Sequence, residues 1–107
     1  MNVVWDSLTP GRAQHFVPRL GWRAGITELQ LTVTGDGPVG VTINLYGSND
    51  GVGLVLLGTL AVSGTATPAA PLTTSDSLTR PYRLLIAELA NPVTGAPTRI
   101  LVTQSGV

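Results

Sequence analysis

Between Thr27 and Tyr46 the apolar residues fall on every second position. Leu29, Leu31 and Val33 come first, then Val39, Val41, Ile43 and Leu45, with Glu28, Gln30, Thr32, Thr42, Asn44 and Tyr46 interleaved. Only an extended backbone turns successive side chains to opposite faces, so a period of two commits this stretch to half-buried strand and denies it to helix. Gly35-Asp36-Gly37-Pro38 interrupts the run with residues that turn readily. It predicts a hairpin joining two strands.

The same reading extends along the chain. Ser48-Asn49-Asp50-Gly51 predicts a second turn, because Asn and Asp tolerate left-handed backbone and Gly accepts positive φ. A strand over residues 54–62 follows. Residues 64–77, rich in Thr, Ser, Pro and Ala, read as an extended or looping connection, with Pro68 and Pro71 excluding a central strand. Residues 82–90 are apolar on both faces, with Leu84 and Ile86 on one side and Leu85, Ala87 and Leu89 on the other, as in a strand covered twice. The Asn91-Pro92-Val93-Thr94-Gly95 turn ends it, and residues 99–105 supply a last strand with Ile100 and Val102 inward. Weaker strands are expected over residues 3–5 and 14–17. The sum is an all-β chain, an antiparallel β-sandwich of jelly-roll kind with no significant helix.

With 107 residues there is room for one core, so one domain is expected, with residues 1–25 as an arm or edge strands contacting neighbours and residues 26–107 as the sandwich. Six arginines, no lysine and six acidic residues give a formal net charge of zero, which draws the chain toward neither nucleic acid nor anionic membrane. Charged residues make up 11%, against roughly 25% in average soluble domains, so the surface must be bland and inclined to association. Cysteine is absent, which removes disulfides and thiolate chemistry. Residues 1–8 carry no basic residue ahead of an apolar segment, and no apolar run approaches the ~18 residues that span a bilayer. A protein made in the cytoplasm without a signal is expected.

Motifs for chemistry are thin. Gly35, Gly37 and Gly40 match G-x-G-x-x-G, but a dinucleotide site needs a helix at the third glycine, and a β-alternating run follows instead. His15 is the single histidine, no nucleophile elbow exists, and a zinc site would need carboxylates that do not cluster. Asp36, Asp50 and Asp76 all read as turn residues, where bonding to nearby backbone explains them better than calcium does. The expectation is a binding or assembling protein without cofactor or metal, not an enzyme.

One asymmetry points toward a partner. The first 23 residues hold Trp5, Phe16 and Trp22 together with Arg12, Arg19 and Arg23. Trp and Arg dominate binding hot spots because they join large apolar area to directional hydrogen bonds. Trp5, Phe16, Arg19, Trp22 and Arg23 are therefore the candidate docking residues, against the alternative that both tryptophans close the core. Arg80, Arg83 and Arg99 read as cross-strand partners for Glu88 or Glu28.

Three stretches carry a resemblance. Residues 41–51, Val-Thr-Ile-Asn-Leu-Tyr-Gly-Ser-Asn-Asp-Gly, form a strand leading into an S-x-D-G turn; Arg80-Pro81-Tyr82-Arg83-Leu84 opens a later strand; and Asn91 to Gly95 form an N-x-x-T-G turn. Together they resemble small structural proteins of tailed bacteriophages that decorate or cement the capsid. The chain departs from that pattern at Gly53-Leu54, where an aromatic residue is frequent, and at Ile86-Ala87, where a second arginine is common. The resemblance implies a virion β-sandwich on the capsid surface, present in many copies, binding the major capsid protein lattice and its own copies, with a homotrimer expected by analogy. The alternative is a tail-tip adhesin or carbohydrate-binding β-sandwich module. If the arm docks, Trp22→Ala or Arg19→Ala should weaken binding to purified shells, measured by co-sedimentation, by about tenfold or more, whereas Asp36→Ala should leave it unchanged.

Overall fold

The computed structural model describes residues 2–16, 27–78, 82, 84–90 and 93–104, with backbone alone at residues 2, 15 and 16. Seven strands make up the described residues: β1 (Asn2–Asp6), β2 (Gly11–Phe16), β3 (Thr27–Ser48), β4 (Val55–Ala66), β5 (Leu72–Leu78), β6 (Leu84–Leu89) and β7 (Thr94–Gln104). All pairings are antiparallel, and the sheet bends until it nearly closes on itself in a barrel-like sandwich.

The alternation over residues 27–46 is one strand and not two. No hairpin forms at Gly35-Asp36-Gly37-Pro38, because β3 runs through it. Odd-numbered side chains stay inward on both sides of the interruption, from Leu29 to Val33 and from Val39 to Leu45, so the phase of the pleat is never lost. A straight strand of 22 residues would span about 73 Å at ~3.3 Å per residue. The longest dimension of the molecule is 38 Å, so β3 must bend sharply. The bend shows in the ladders. Between the Gly35↔Pro97 and Val39↔Gly95 pairs, three residues of β3 stand against one of β7, a bulge that raises local curvature.

Every other strand path breaks along the same line. β4 pairs with β3 from Gly37↔Ala66 to Gly47↔Val55, and β5 continues in the same direction from Val33↔Leu72 to Thr27↔Leu78. On the opposite side of β3, β6 covers residues 43–48 and β7 covers residues 29–40. Outside these, β1 pairs with β7 and β2 with β6. Four strand paths thus lie side by side, each folded at its middle, giving the layers β1-β7-β3-β5 and β2-β6-β3-β4 with β3 common to both. Proline stands at each interruption: Pro10 between β1 and β2, Pro38 in β3, Pro68 and Pro71 between β4 and β5, and Pro92 between β6 and β7. A residue without an N–H and with fixed φ suits a place where the ladder must lapse. Between β4 and β5 the lapse is a tight turn closed by Thr67 N–H to Ala70 O and Ala70 N–H to Thr67 O, at 3.2 and 3.0 Å.

β5 corrects the reading of residues 64–77 as a connection. Its Thr- and Ser-rich segment is a layer edge, where one face and one side may stay wet, and both prolines sit just before it. Asp76 consequently lies in strand β5, and Asp36 lies within β3; of the three aspartates read as turn residues, Asp50 alone occupies a turn. Gly95, expected in a turn, is the second residue of β7.

One core fills the space between the layers. It takes Leu29, Leu31, Val33, Val39, Val41, Ile43 and Leu45 from β3, Leu60 from β4, Leu78 from β5, Leu85, Ala87 and Leu89 from β6, and Ile100 and Val102 from β7. Each fully buried Leu, Ile or Val stabilises the fold by about 1.5–3 kcal/mol. β6 behaves as its two-sided pattern predicts: Leu85, Ala87 and Leu89 join the core, and Ile86 is buried on the opposite face between its cross-strand neighbours Gln14 and Tyr46.

The close passage of β7 over the bend rests on Gly95. Its φ is +75°, and a Cβ there would overlap the carbonyl oxygen of Pro38. Gly95→Ala should therefore cost about 2–4 kcal/mol in chemical denaturation, through backbone strain and overlap together. Gly53→Ala, where a Cβ meets nothing nearer than 3.8 Å, should stay within ~0.5 kcal/mol of the parent.

Candidate functional site

On the outer face of the β2-β6-β3-β4 layer, cross-strand register places four polar residues in one row. Arg12 of β2 lies opposite Glu88 of β6, Glu88 opposite Asn44 of β3, and Asn44 opposite Thr59 of β4. Their side chains bond along the row. Arg12 Nε donates to Glu88 Oε2 at 2.6 Å, Asn44 Nδ2 donates to Glu88 Oε1 at 3.3 Å, and Thr59 Oγ1 donates to Asn44 Oδ1 at 3.3 Å. From the next register position Tyr46 adds its hydroxyl to Glu88 Oε1 at 3.2 Å. The Arg12 guanidinium also lies 5.7 Å from the centre of the Tyr46 ring, within cation–π range.

Glu88 is the hub. Its side chain is 22% exposed, and the Arg12 hydrogen bond, followed by that of Asn44, holds its carboxyl below the usual carboxylate range against the opposing effect of burial. The same contact raises the Arg12 pKa. A carboxylate accepting from three side chains remains ionised at neutral pH and is poorly placed to donate a proton. Its oxygens are committed to joining strands, so the row is suited to fixing the outer face and to recognition by hydrogen bonds. Beside it, a shallow hollow of about 380 Å³ is lined by Pro10, Gly11, Glu88, Leu89 and Ala90. A second of about 330 Å³ lies over residues 40–42, 61–63 and Thr94.

The S-x-D-G turn after β3 is built from its own side chains. Ser48 Oγ accepts from the N–H groups of Asp50 and Gly51 at 3.3 and 2.8 Å and donates to Asp50 Oδ1 at 3.1 Å. Asp50 Oδ1 accepts from Val52 N–H and Gly53 N–H at 2.8 and 2.9 Å, and these two bonds are the main reason its pKa is lowered. Gly51 takes φ +79°, the left-handed conformation expected of it. Among the described residues no group of three His, Asp or Glu side chains converges on a point where a metal could sit. Asp36, Asp50 and Asp76 lie in different parts of the fold.

Of the candidate docking residues, Trp5 is corrected. A bulge between Val3↔Thr103 and Trp5↔Val102 turns the consecutive Val4 and Trp5 both inward, and Trp5 is left 5% exposed in the core of its own chain. Its indole N–H is satisfied by Ser7 O at 2.9 Å, as a buried tryptophan requires. Phe16 ends β2, its backbone paired with Leu84, and His15 pairs in the same strand with Leu85. Arg19, Trp22 and Arg23 lie outside the described residues, as do Arg80, Arg83 and Asn91. Gly35 is buried within β3, and Gly37 takes φ +127° at the bend. Arg99 pairs with neither Glu88 nor Glu28; it grips Asp6 of β1 through Nε–Oδ1 at 3.3 Å and Nη2–Oδ2 at 3.1 Å.

The row around Glu88 was not singled out from sequence, although a signal for it exists. Glu88 is the one charged residue in an otherwise apolar strand, and such a group needs a partner on each neighbouring strand. Comparison with family models, with curated proteins and with solved structures finds no match to this chain.

The lowered pKa of Glu88 fixes the sign of a pH effect. Its stabilising contribution is fully present above the ordinary carboxylate value of about 4.3 and is lost as pH falls through its own lower value. Glu88→Gln should cost about 1 kcal/mol at neutral pH in urea denaturation. The gap between variant and parent should close on acidification through that lower range; a gap that widens would show that Glu88 is stabilised in its protonated form.

Proposed function

We propose that this chain is a structural protein of a bacteriophage virion, decorating or cementing the capsid by binding major capsid protein subunits and its own copies. The observation that supports this best is how little chemistry the described residues leave uncommitted at the surface. Arg12 with Glu88 and Arg99 with Asp6 are consumed in pairs, and Asp50 is consumed by its own turn. Among the described residues, what remains to meet a partner is the exposed Asp36 and a surface largely hydroxyl and aliphatic, including Val3, Leu8, Val52 and Leu56. Such a surface acts by burial of area, and repetition over a lattice multiplies modest contacts into stable attachment. The strand 41–48 leading into the Ser48-Asn49-Asp50-Gly51 turn, the stretch that resembles phage structural proteins, is the second half of β3 and ends in a turn bonded through Ser48.

The adhesin alternative draws less support. A sugar platform needs an open aromatic face, and Tyr46, on the outer face of the β2-β6-β3-β4 layer, has Arg12 over its ring. Quantitative mass spectrometry of purified particles tests the proposal. A copy number near that of the major shell protein is the expected result. A handful of copies would move the chain to the tail and favour the adhesin, and absence from particles would end the virion reading.

A further inference from the structure

The two layers have four outer strands, and three of them are guarded. A sheet edge offers unpaired N–H and C=O groups to any other strand, and folded proteins blunt that invitation with charge, proline, bulges or shortness. β1 is five residues long and carries Asp6, tied to Arg99. β2 is six residues long and carries Arg12, tied to Glu88. β5 carries Asp76, whose carboxylate reaches across to β4: an oxygen lies 3.0 Å from where a Cβ on Gly58 would stand. That is an inward-pointing charge at an edge.

β4 has one of these devices, a bulge near its start where Leu57 stands between the Gly58↔Leu45 and Leu56↔Tyr46 pairs, and none from Gly58 onward. Its sequence, Val-Leu-Leu-Gly-Thr-Leu-Ala-Val-Ser-Gly-Thr-Ala, is twelve residues long, contains no proline and is the only one of the seven strands without a titratable side chain. Among the described residues it pairs on one side only, with β3. Its outward side chains Thr59, Ala61, Ser63 and Thr65 are exposed and small, and Leu56 near its start is 55% exposed.

We propose that the free edge of β4 pairs antiparallel with β4 of a second copy about a two-fold axis, joining two β2-β6-β3-β4 layers into one continuous sheet. The composition of the edge identifies the occupant. In a two-fold antiparallel pair each residue faces a residue of the same segment, so any charge near the centre meets its own kind across the strands and is repelled. A segment with no charge at all is what self-pairing requires, whereas an edge that selects a different protein gains specificity from charges of its own. Centred on Ala61, which then faces its own copy, the pairing sets Leu56 of one molecule beside the far end of β4 of the other and covers it. The inference deepens the self-association part of the function proposed above and rests on it, with a two-fold pair in place of the homotrimer expected by analogy. Its test uses the purified chain alone, so its outcome is independent of copy number in particles.

Sedimentation velocity over a wide concentration series should show reversible dimerisation of the full chain. Ala61→Lys should raise the dissociation constant by about tenfold or more, with circular dichroism and thermal midpoint unchanged. Ala61→Glu should do the same, and an equimolar mixture of the two variants should restore the dimer, because Lys then faces Glu. Thr73→Lys on β5 should leave association intact. If Ala61→Lys fails to fold, Thr65→Lys takes its place. A parent chain that stays monomeric throughout, a dimer indifferent to Ala61→Lys, equal sensitivity to Thr73→Lys, or a mixture that remains monomeric would each overturn the proposal.

Discussion

The fold depends on a bend that does not disturb the pleat. β3 belongs to both layers, and it can serve both only if the residues facing the core before Gly35 and after Pro38 have the same parity. Had the interruption shifted the phase by one residue, Val39, Val41, Ile43 and Leu45 would point to solvent, and β3 would lose four of its seven core residues. Two features keep the phase and still turn the chain: the three-against-one bulge opposite β7, and the glycine at position 95, which lets β7 pass closely over Pro38. The neighbouring strand paths had only to break where β3 bends, and each does so with a proline at hand.

With the core so arranged, the outer faces follow. Even-numbered residues of β3 face outward, and register alone then sets Asn44 between Glu88 and Thr59. Glu88 can be carried in an apolar strand because Arg12, Asn44 and Tyr46 surround it with donors. The first layer has its own tie, Arg99 to Asp6, which holds the edge strand β1 to β7 beside the inward-turned Trp5. Both ion pairs among the described residues thus bind strand to strand.

Much of this was legible in the sequence, and the failures have physical causes. The period-two pattern identified the strands and their inward residues, including the two-sided β6, because burial selects apolar side chains directly. Gly35-Asp36-Gly37-Pro38 misled because turn-forming residues serve bends as well as hairpins. The deciding signal was that Val33 and Val39 share a parity across the gap. β5 was missed because an edge strand may be rich in Thr and Ser, and such composition resembles a loop. Trp5 was read as a docking residue because Trp and Arg gather in the first 23 residues, and nothing local announces the bulge that turns it into the core. The row around Glu88 needs the register of four strands, which the sequence does not display.

The pairing of Asn2 with Gln104 bears on how the molecule is made. β1 pairs with β7 and β2 with β6, so neither can dock until those later strands have been made. The long ribbon of β3 with β4 and β5 joins segments close in sequence and is able to form first, with its apolar side open until β6 and β7 arrive. Loop closure over such separations is slow, and a half-finished sheet is sticky. The time between emergence of β4 and capture of β1 is therefore the period in which this chain is most exposed to aggregation.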